Sequence, residues 1–291
     1  MSRTAWLFFL SPLLISAQPL PEFHVERVAI NLKFTEGPVW SREGYLLFSD
    51  IPANQILKFM PGGGAPTIFR ENSGGANGLV YDDKGRLYTC EEHARRVTRT
   101  DKKGNVEVLA ERFEGKRLNS PNDIVVSHNG HVYFTDPAFG KAQDTRELDF
   151  YGVYHLTPKG ELKLIAKPQG RPNGVALSPN GRILYVNNSD ERNVRAYDVD
   201  HNGDVSNERL LISGIDGVPD GMRVDDKGNL YVAAKDIIVY SPEGKETARI
   251  PLPESASNCA FGDPDLQTLY VTARTSVFRV RLEGVKGAVQ Y

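Results

Sequence analysis

Six oxygen-bearing polar side chains recur at regular intervals along the sequence. Each opens a segment that continues with an apolar run, a tight turn and a second apolar run. Carboxylate and carboxamide oxygens brought together are the ligands of a hard divalent cation such as Ca²⁺, which takes about six to eight of them. No His or Cys occupies these positions, which disfavours zinc and copper. The six residues are Glu36, Asn77, Asn122, Asn173, Asp220 and Asn258.

The segments predict an all-β fold, a six-bladed β-propeller. They begin roughly 40–50 residues apart, and a repeat of about 40–45 residues with strand signals in each copy is typical of propeller blades. Most of their turns carry a Gly at a similar offset, as in Asn129-Gly130 and Asn180-Gly181, where a positive φ is favoured. The first strand of every blade lines the central channel, so the polar residues are expected to form a ring around one axis.

Each of the six residues also has a simpler interpretation. Asn-Gly and Asp-Gly pairs form turns, and an Asn at a strand start often bonds nearby backbone groups. Turn chemistry does not require a carboxylate at Glu36, so a cation site is favoured for the set. Asn77 and Asn258 are best explained as structural members, or as ligands to water rather than to metal.

The two ends of the chain are predicted to close the ring. The last unit contains only three clear strands, in CAFG, TLYVT and SVFRVRL. Residues 24–30 lie outside the six units and alternate like a strand, so we expect them to complete the last blade and leave few open sheet edges. The C-terminal AVQY is the alternative donor. We expect a single domain over 24–291, with its longest insertion, 137–152, lying over one face.

The first residues have the layout of a secretory signal peptide. Arg3 precedes an apolar run from Ala5 to Ile15, and small residues follow up to Ala17. The run is too short to cross a bilayer comfortably. We expect residues 1–17 to be removed and the protein to be periplasmic or secreted, without stable membrane association after cleavage. A membrane anchor or a buried strand is the alternative.

Charge and cysteine content narrow the class of protein further. A net charge of −2 over 291 residues argues against a nucleic-acid partner. An exported protein could pair Cys90 with Cys259, but we expect two free, buried thiols, the commonest environment of Cys. The sequence contains no G-x-S-x-G, H-E-x-x-H or C-x-x-C motif.

Several motifs closely resemble the SMP-30/gluconolactonase/LRE family of six-bladed, calcium-dependent propellers, and within it the bacterial gluconolactonases. They cover most of the chain between 34 and 233, and they are specific as a set. The motifs are FTEGPVW (34–40), CEEHARRVTR (90–99), GKRLNSPNDIVV (115–126), HVYFTDPAFG (131–140), RPNGVALSPNGRILYV (171–186) and PDGMRVDDKGNLYVA (219–233).

This resemblance implies particular site residues. The calcium ligands would be Glu36, Asn173 and Asp220, with Asp220 also serving as catalytic base or nucleophile. Asn122 matches a position that binds substrate in relatives, and that contacts the metal in the related phosphotriesterase branch. Ser120 stands where animal members have an Arg, so that contact to a sugar lactone is not supported here.

The implied reaction is hydrolysis of a sugar lactone, a small-molecule substrate. Ca²⁺, or another divalent cation, would act as a Lewis acid toward the ester. Amides such as Asn122 would stabilise charge on the carbonyl oxygen. Asp220 would activate water or attack directly.

Two further residues and two other functions remain open at the sequence level. His93 follows the second strand of its unit, where family members usually carry a His, and could bind substrate or simply lie on the surface. Asp136 is expected to cap its turn. The alternative functions are an organophosphate or arylester hydrolase on the same scaffold and a non-catalytic propeller that binds a ligand.

Overall fold

The computed structural model describes residues 23–289, which fold into six four-stranded antiparallel sheets. Each sheet is one blade of a propeller. The first strand of every blade contacts the first strands of the two neighbouring blades, and the first strand of the sixth blade contacts that of the first. The ring is therefore closed, and the predicted six-bladed β-propeller is confirmed.

The strands follow one another from the channel outwards in blades 1 to 5. An N-terminal strand, β1 (Val25–Ala29), precedes them. Blades 1 to 3 consist of β2 (Thr35–Ser41), β3 (Tyr45–Asp50), β4 (Gln55–Phe59) and β5 (Thr67–Glu71); β6 (Ala76–Tyr81), β7 (Leu87–Glu91), β8 (Arg96–Thr100) and β9 (Val106–Ala110); then, after a short hairpin of β10 (Arg112–Phe113) and β11 (Lys116–Arg117), β12 (Ile124–Val126), β13 (Val132–Asp136), β14 (Gly152–Leu156) and β15 (Leu162–Ala166).

The second half of the chain repeats this arrangement. Blades 4 to 6 consist of β16 (Pro172–Leu177), β17 (Ile183–Asn188), β18 (Asn193–Val199) and β19 (Val205–Ser213); β20 (Met222–Val224), β21 (Leu230–Ala233), β22 (Ile237–Tyr240) and β23 (Glu246–Ile250); and β24 (Asn258–Gly262), β25 (Thr268–Ala273) and β26 (Ser276–Arg281).

The N-terminal strand completes the sixth blade. β1 pairs antiparallel with β26, with Val25 opposite Val280 and Arg27 opposite Phe278. The Arg27 guanidinium lies 5.1 Å from the centre of the Phe278 ring, so the pairing is supported by a cation–π contact as well as by the backbone. The predicted role of residues 24–30 is confirmed, and the C-terminal alternative is wrong.

Apolar side chains of the inner strands fill the space between neighbouring blades. Second strands such as β3 and β13 are buried along their whole length, because both faces of a blade are covered by its neighbours. Outer strands are partly exposed. In β5 and β9 most residues are exposed, with little alternation between buried and exposed positions. Cys90 and Cys259 lie in this interior as free, buried thiols, as predicted.

The two faces of the disc differ. We call the face where the first strand of each blade begins the upper face, and the face with the turns between first and second strands the lower face. The C-terminal segment runs along the lower face, where Gly287 bridges Asp225 and the Ala288 amide donates to the Val224 carbonyl at 3.0 Å. The insertion 137–152 lies on the upper face and contains a 3₁₀ helix, Gly140–Thr145.

The predicted signal peptide, residues 1–17, lies outside the described residues, so export and the periplasmic or secreted location stay predictions. Between residues 23 and 289, no helix has the length and apolar character needed to cross a bilayer.

Candidate active site

The six polar residues predicted from the repeat lie together at the upper end of the channel. Five of them are at most 7 % exposed, and Asp220 is half-buried with its open side at the channel mouth. The regular strand begins two residues after Asn122 and after Asp220, at β12 and β20, so these two residues precede their strands rather than open them.

Glycines that follow the ring residues let neighbouring blades approach closely. The Gly78 amide donates to the Asn122 carbonyl at 2.8 Å, and the Gly174 amide donates to the Asp220 carbonyl at 3.0 Å. A Cβ atom at Gly174 would lie 2.4 Å from that carbonyl oxygen. The recurring Asn-Gly and Asp-Gly pairs therefore hold the ring together between blades, in addition to any local turn role.

Polar residues of the second strands fix the same backbone from the other side. The Ser49 hydroxyl donates to the Asn77 carbonyl at 2.7 Å, and the Thr135 hydroxyl donates to the Asn173 carbonyl at 2.6 Å. These residues interrupt otherwise apolar strands, a signal that sequence reasoning missed. Their bonds orient the ring residues without using the ring side chains.

The two carboxylates of the ring, Glu36 and Asp220, are close enough for the charge of one to affect the pKa of the other. Burial, followed by the nearby Asp220 carboxylate, raises the pKa of Glu36 well above its usual value. Glu36 Oε2 accepts hydrogen bonds from the Gly37 amide at 2.6 Å and from Asn258 Nδ2 at 3.0 Å. Burial also raises the pKa of Asp220, although the Asn173 amide opposes this. Placing two negative groups in a dry ring is costly unless a positive charge compensates them.

The donor set fits an oxygen-preferring cation. Asn173 donates through Nδ2 to the Ser189 hydroxyl at 3.1 Å, while its buried Oδ1 has no hydrogen-bond partner. Within residues 23–289 no three His, Cys, Asp or Glu side chains form a metal-binding cluster. A cation here would therefore need the Asn173 amide oxygen besides Glu36 and Asp220, a set that Ca²⁺ accepts. Asn258 differs, because its Oδ1 already accepts from the Cys259 amide, which agrees with its predicted structural role.

A buried ion pair lies close to the ring. Arg223 Nη1 is 3.5 Å from Asp123 Oδ2, and both side chains are almost fully buried. Asp123 also accepts from the Val175 amide at 3.1 Å. Burial raises the pKa of Asp123, and Arg223 is the main group that lowers it again. Sequence reasoning missed this pair, although Asp123 stands where four of the other copies have Gly.

A cavity of about 560 Å³ opens at the mouth beside blades 2 and 3. Its wall combines Glu92, His93 and Ser120 with Phe139 and the 3₁₀ helix. His93 is exposed there, at the predicted place. Asn122 lies in the ring and is not part of this wall.

A second cavity of about 410 Å³ adjoins Asp220 on the other side of the mouth. Phe34 and Val218 supply its apolar surface, and Lys235 and Arg274 supply positive charge. The mouth therefore offers polar and apolar surface on both sides of the ring, as a small polar ligand requires.

Acidic residues at the ends of second strands anchor the segments that lead into the ring. Asp136 accepts from the Asn119 amide at 2.8 Å and from the Ser120 amide at 2.7 Å. Burial raises the pKa of Asp136 to about 7. Asp50 binds the amides of Lys33 and Phe34 in the same way. Asp136 therefore fixes the segment that leads into the ring and holds Ser120 in the cavity wall, rather than capping its own turn as predicted.

The fold and the polar ring in its channel agree with a match to a protein family. A profile described as SMP-30/Gluconolactonase/LRE-like region matches residues 34–275. The chain belongs to that family, and the resemblance seen in the sequence is confirmed.

Particular relatives are similar over most of their length. A gluconolactonase from Zymomonas mobilis is 37 % identical, with 88 % of this chain and 81 % of the relative covered. The solved structure of a gluconolactonase from Xanthomonas campestris has a TM-score of 0.83 at 32 % identity, with 90 % of each chain covered. Diisopropyl-fluorophosphatase from Loligo vulgaris is 27 % identical, with 87 % of this chain and 90 % of the relative covered.

Proposed function

We propose that this protein is a calcium-dependent lactonase that opens a sugar lactone, as in the gluconolactonases to which it is similar. The observation that carries this proposal is the association of Glu36 and Asp220 with the unpartnered amide oxygen of Asn173 at the mouth of an open channel. Two carboxylates and a free amide oxygen are a site for a divalent cation, with Ca²⁺ preferred.

Each side chain at the channel mouth would have a separate role in hydrolysis. Glu36, Asn173 and Asp220 would hold the cation, which when bound supplies a Lewis acid for the ester group. Asp220 lines a cavity at the mouth, and it would accept a proton from the attacking water or attack directly. The Asn122 amide would donate to charge on the carbonyl oxygen. His93 would contact the rest of the lactone in the mouth cavity.

Cleavage of an organophosphate or arylester is the second candidate function. The similarity to the diisopropyl-fluorophosphatase of Loligo vulgaris favours it, since that relative is covered along most of its length. The same cation site would polarise a phosphoryl oxygen. A propeller that only binds a ligand would need the ring but not the reactivity of Asp220.

The test measures hydrolysis of D-glucono-1,5-lactone by proton release, with the spontaneous rate subtracted. The wild type is compared with Asp220→Asn, in the presence of Ca²⁺ and of a chelator. Asp216→Asn is the matched control, because Asp216 is exposed, pairs with Arg249 on an outer strand and lines neither mouth cavity. We expect turnover in the wild type and the control, and its loss in Asp220→Asn and on chelation.

Turnover that is indifferent to both the chelator and Asp220→Asn would contradict the mechanism. Stabilisation by Ca²⁺ without turnover of any lactone would support a cation site in a binding protein or in an organophosphate hydrolase. Assays with an arylester and a phosphotriester then separate those two outcomes.

A further inference from the structure

Glu92 and Asp220 approach the channel mouth from opposite sides. Glu92 directly follows β7, the second strand of blade 2, and Asp220 leads into β20, the first strand of blade 5. In a closed ring of six blades, blades 2 and 5 are diametrically opposed. The charge of Glu92 nevertheless contributes to the raised pKa of Asp220. Glu92 also bonds the ring directly, because it accepts from Asn77 Nδ2 at 3.2 Å, so both carboxyl groups border the channel mouth.

The surroundings of Glu92 differ from those of its neighbour in sequence. Glu91 is buried and uses both carboxylate oxygens within its blade, accepting from Arg96 Nε at 2.6 Å and from the Thr98 hydroxyl at 2.9 Å. Glu92 instead lines the mouth cavity and accepts from Asn77 Nδ2 at 3.2 Å. Glu91 thus stabilises the blade, whereas Glu92 faces the space that a ligand would occupy.

Other groups in the wall keep Glu92 in place without neutralising it fully. The buried Ser120 hydroxyl lies near the Glu92 carboxylate and lowers its pKa. His93 is close enough to interact with Glu92 electrostatically. A carboxyl group that lines the cavity beside a hydroxyl and an imidazole can reach a ligand bound there and exchange a proton with it.

We propose that Glu92 is the general acid of lactone hydrolysis and protonates the leaving ring oxygen. This inference rests on the proposed function. Water adds to the carbonyl carbon and gives a proton to Asp220. The bond between that carbon and the ring oxygen then breaks, and the oxygen takes the proton of Glu92. The product acid ionises, Asp220 loses its proton and Glu92 regains one from solvent, so one proton is released per turnover.

The electrostatics of the mouth agree with a donor role. Burial is the largest cause of the raised pKa of Glu92, and the Asn77 hydrogen bond, His93 and the Ser120 hydroxyl only partly offset it. A carboxyl group whose pKa lies above its usual value keeps its proton to a higher pH, and can then donate it to an alkoxide as it forms. The same division of labour between two carboxyls, one acid and one base, follows whenever their environments differ.

The leaving group provides the sharpest test. An aliphatic δ-lactone releases a strongly basic alkoxide that needs a proton, whereas dihydrocoumarin releases a phenol with a pKa of about 10, as in tyrosine. We expect Glu92→Gln to lower kcat about 10²- to 10⁴-fold on the aliphatic lactone and less than about tenfold on dihydrocoumarin. The wild-type rate on the aliphatic lactone should fall as the pH rises through the pKa of Glu92, and Glu92→Gln should lack this decline.

Controls separate this role from a structural one. Glu208→Gln, at an exposed residue paired with Arg195, should match the wild type. Glu92→Asp keeps the carboxyl and should restore the pH-dependent decline at a lower rate. Equal losses on both substrates, or an unaltered pH profile in Glu92→Gln, would overturn the assignment of Glu92 alone. A wild type that hydrolyses no lactone would overturn the proposed function, and this inference with it.

Discussion

At the scale of single residues, the channel carries more negative than positive charge. Glu36, Asp123 and Asp220 interact electrostatically around the ring, and Arg223 is paired with Asp123. The protein thus supplies a buried cation for one of these carboxylates. The two that remain, Glu36 and Asp220, are those to which the proposed Ca²⁺ would bind.

The buried pair leads to a prediction about stability. Arg223→Met leaves Asp123 buried without its partner, so we expect the free energy of unfolding to fall by about 3–5 kcal/mol. In Asp123→Asn/Arg223→Met both charges are gone, and the Val175 amide still has an oxygen acceptor. The double variant should therefore be more stable than Arg223→Met alone, as measured by urea denaturation. Losses that simply add across the two positions would contradict the coupling.

The sequence identified the residues whose chemistry repeats. Glu36, Asn173 and Asp220 occupy equivalent places in three copies, so their convergence follows from the repeat alone. Asp123, Arg223 and Glu92 have no such regularity. Asp123 and Arg223 belong to different blades, which only the closed ring brings into contact, whereas Glu92 bonds Asn77 within its own blade.

At the scale of the strands, close contact between blades depends on small residues. The Gly221 amide donates to the Ser257 carbonyl at 2.7 Å, and a Cβ atom at Gly221 would lie 1.9 Å from Asn258 Cγ. Asn258 would then have to move away from Glu36, to which it donates. A methyl group at this position thus affects both packing and the candidate cation site.

We therefore predict that Gly221→Ala lowers the free energy of unfolding by about 1–3 kcal/mol, the usual cost of overpacking. It should also weaken stabilisation by Ca²⁺, since Glu36 loses a fixed neighbour. Gly64→Ala is the matched control, because a Cβ atom there meets nothing within 4 Å, and it should change stability by less than about 0.5 kcal/mol. Thermal melts of both variants, with and without Ca²⁺, give the comparison. Equal melting temperatures for Gly221→Ala and Gly64→Ala would show that the close contact of Gly221 with Asn258 does not contribute to stability.

Turns and strands were predicted well where local chemistry determines them. The Gly of the turns and the alternation of residues 24–30 depend on neighbouring residues only. The first residues of β12 and β20 were harder to predict from the sequence, because Asn122 and Asp220 are held by hydrogen bonds to other blades and to their own second strands. One example is the bond from the Asp220 amide to the Ala233 carbonyl at 2.8 Å.

At the scale of the whole molecule, one strand joins the beginning of the chain to its end. β1 covers the outer edge of β26 and adds the ion pair of Glu26 with Arg279 at 2.7 Å. Without it the sixth blade would have three strands and an open edge that could pair with another chain. Since each blade packs on two neighbours, a weakened sixth blade also exposes the apolar surface that it shares with blade 5.

This closure predicts a sharp dependence on where the chain is truncated. A variant that begins at Phe23 keeps β1, whereas a variant that begins at Asn31 loses its paired residues. Each backbone hydrogen bond contributes about 1 kcal/mol net, so removal of this short ladder should cost a few kcal/mol and lower the melting temperature. The exposed edge of β26 should also promote self-association, which light scattering across protein concentrations would detect. If the variant that begins at Asn31 melted like the one that begins at Phe23 and remained monomeric, blade 6 would be stable with three strands, and the ring would be held by packing between blades rather than by its N-terminal strand.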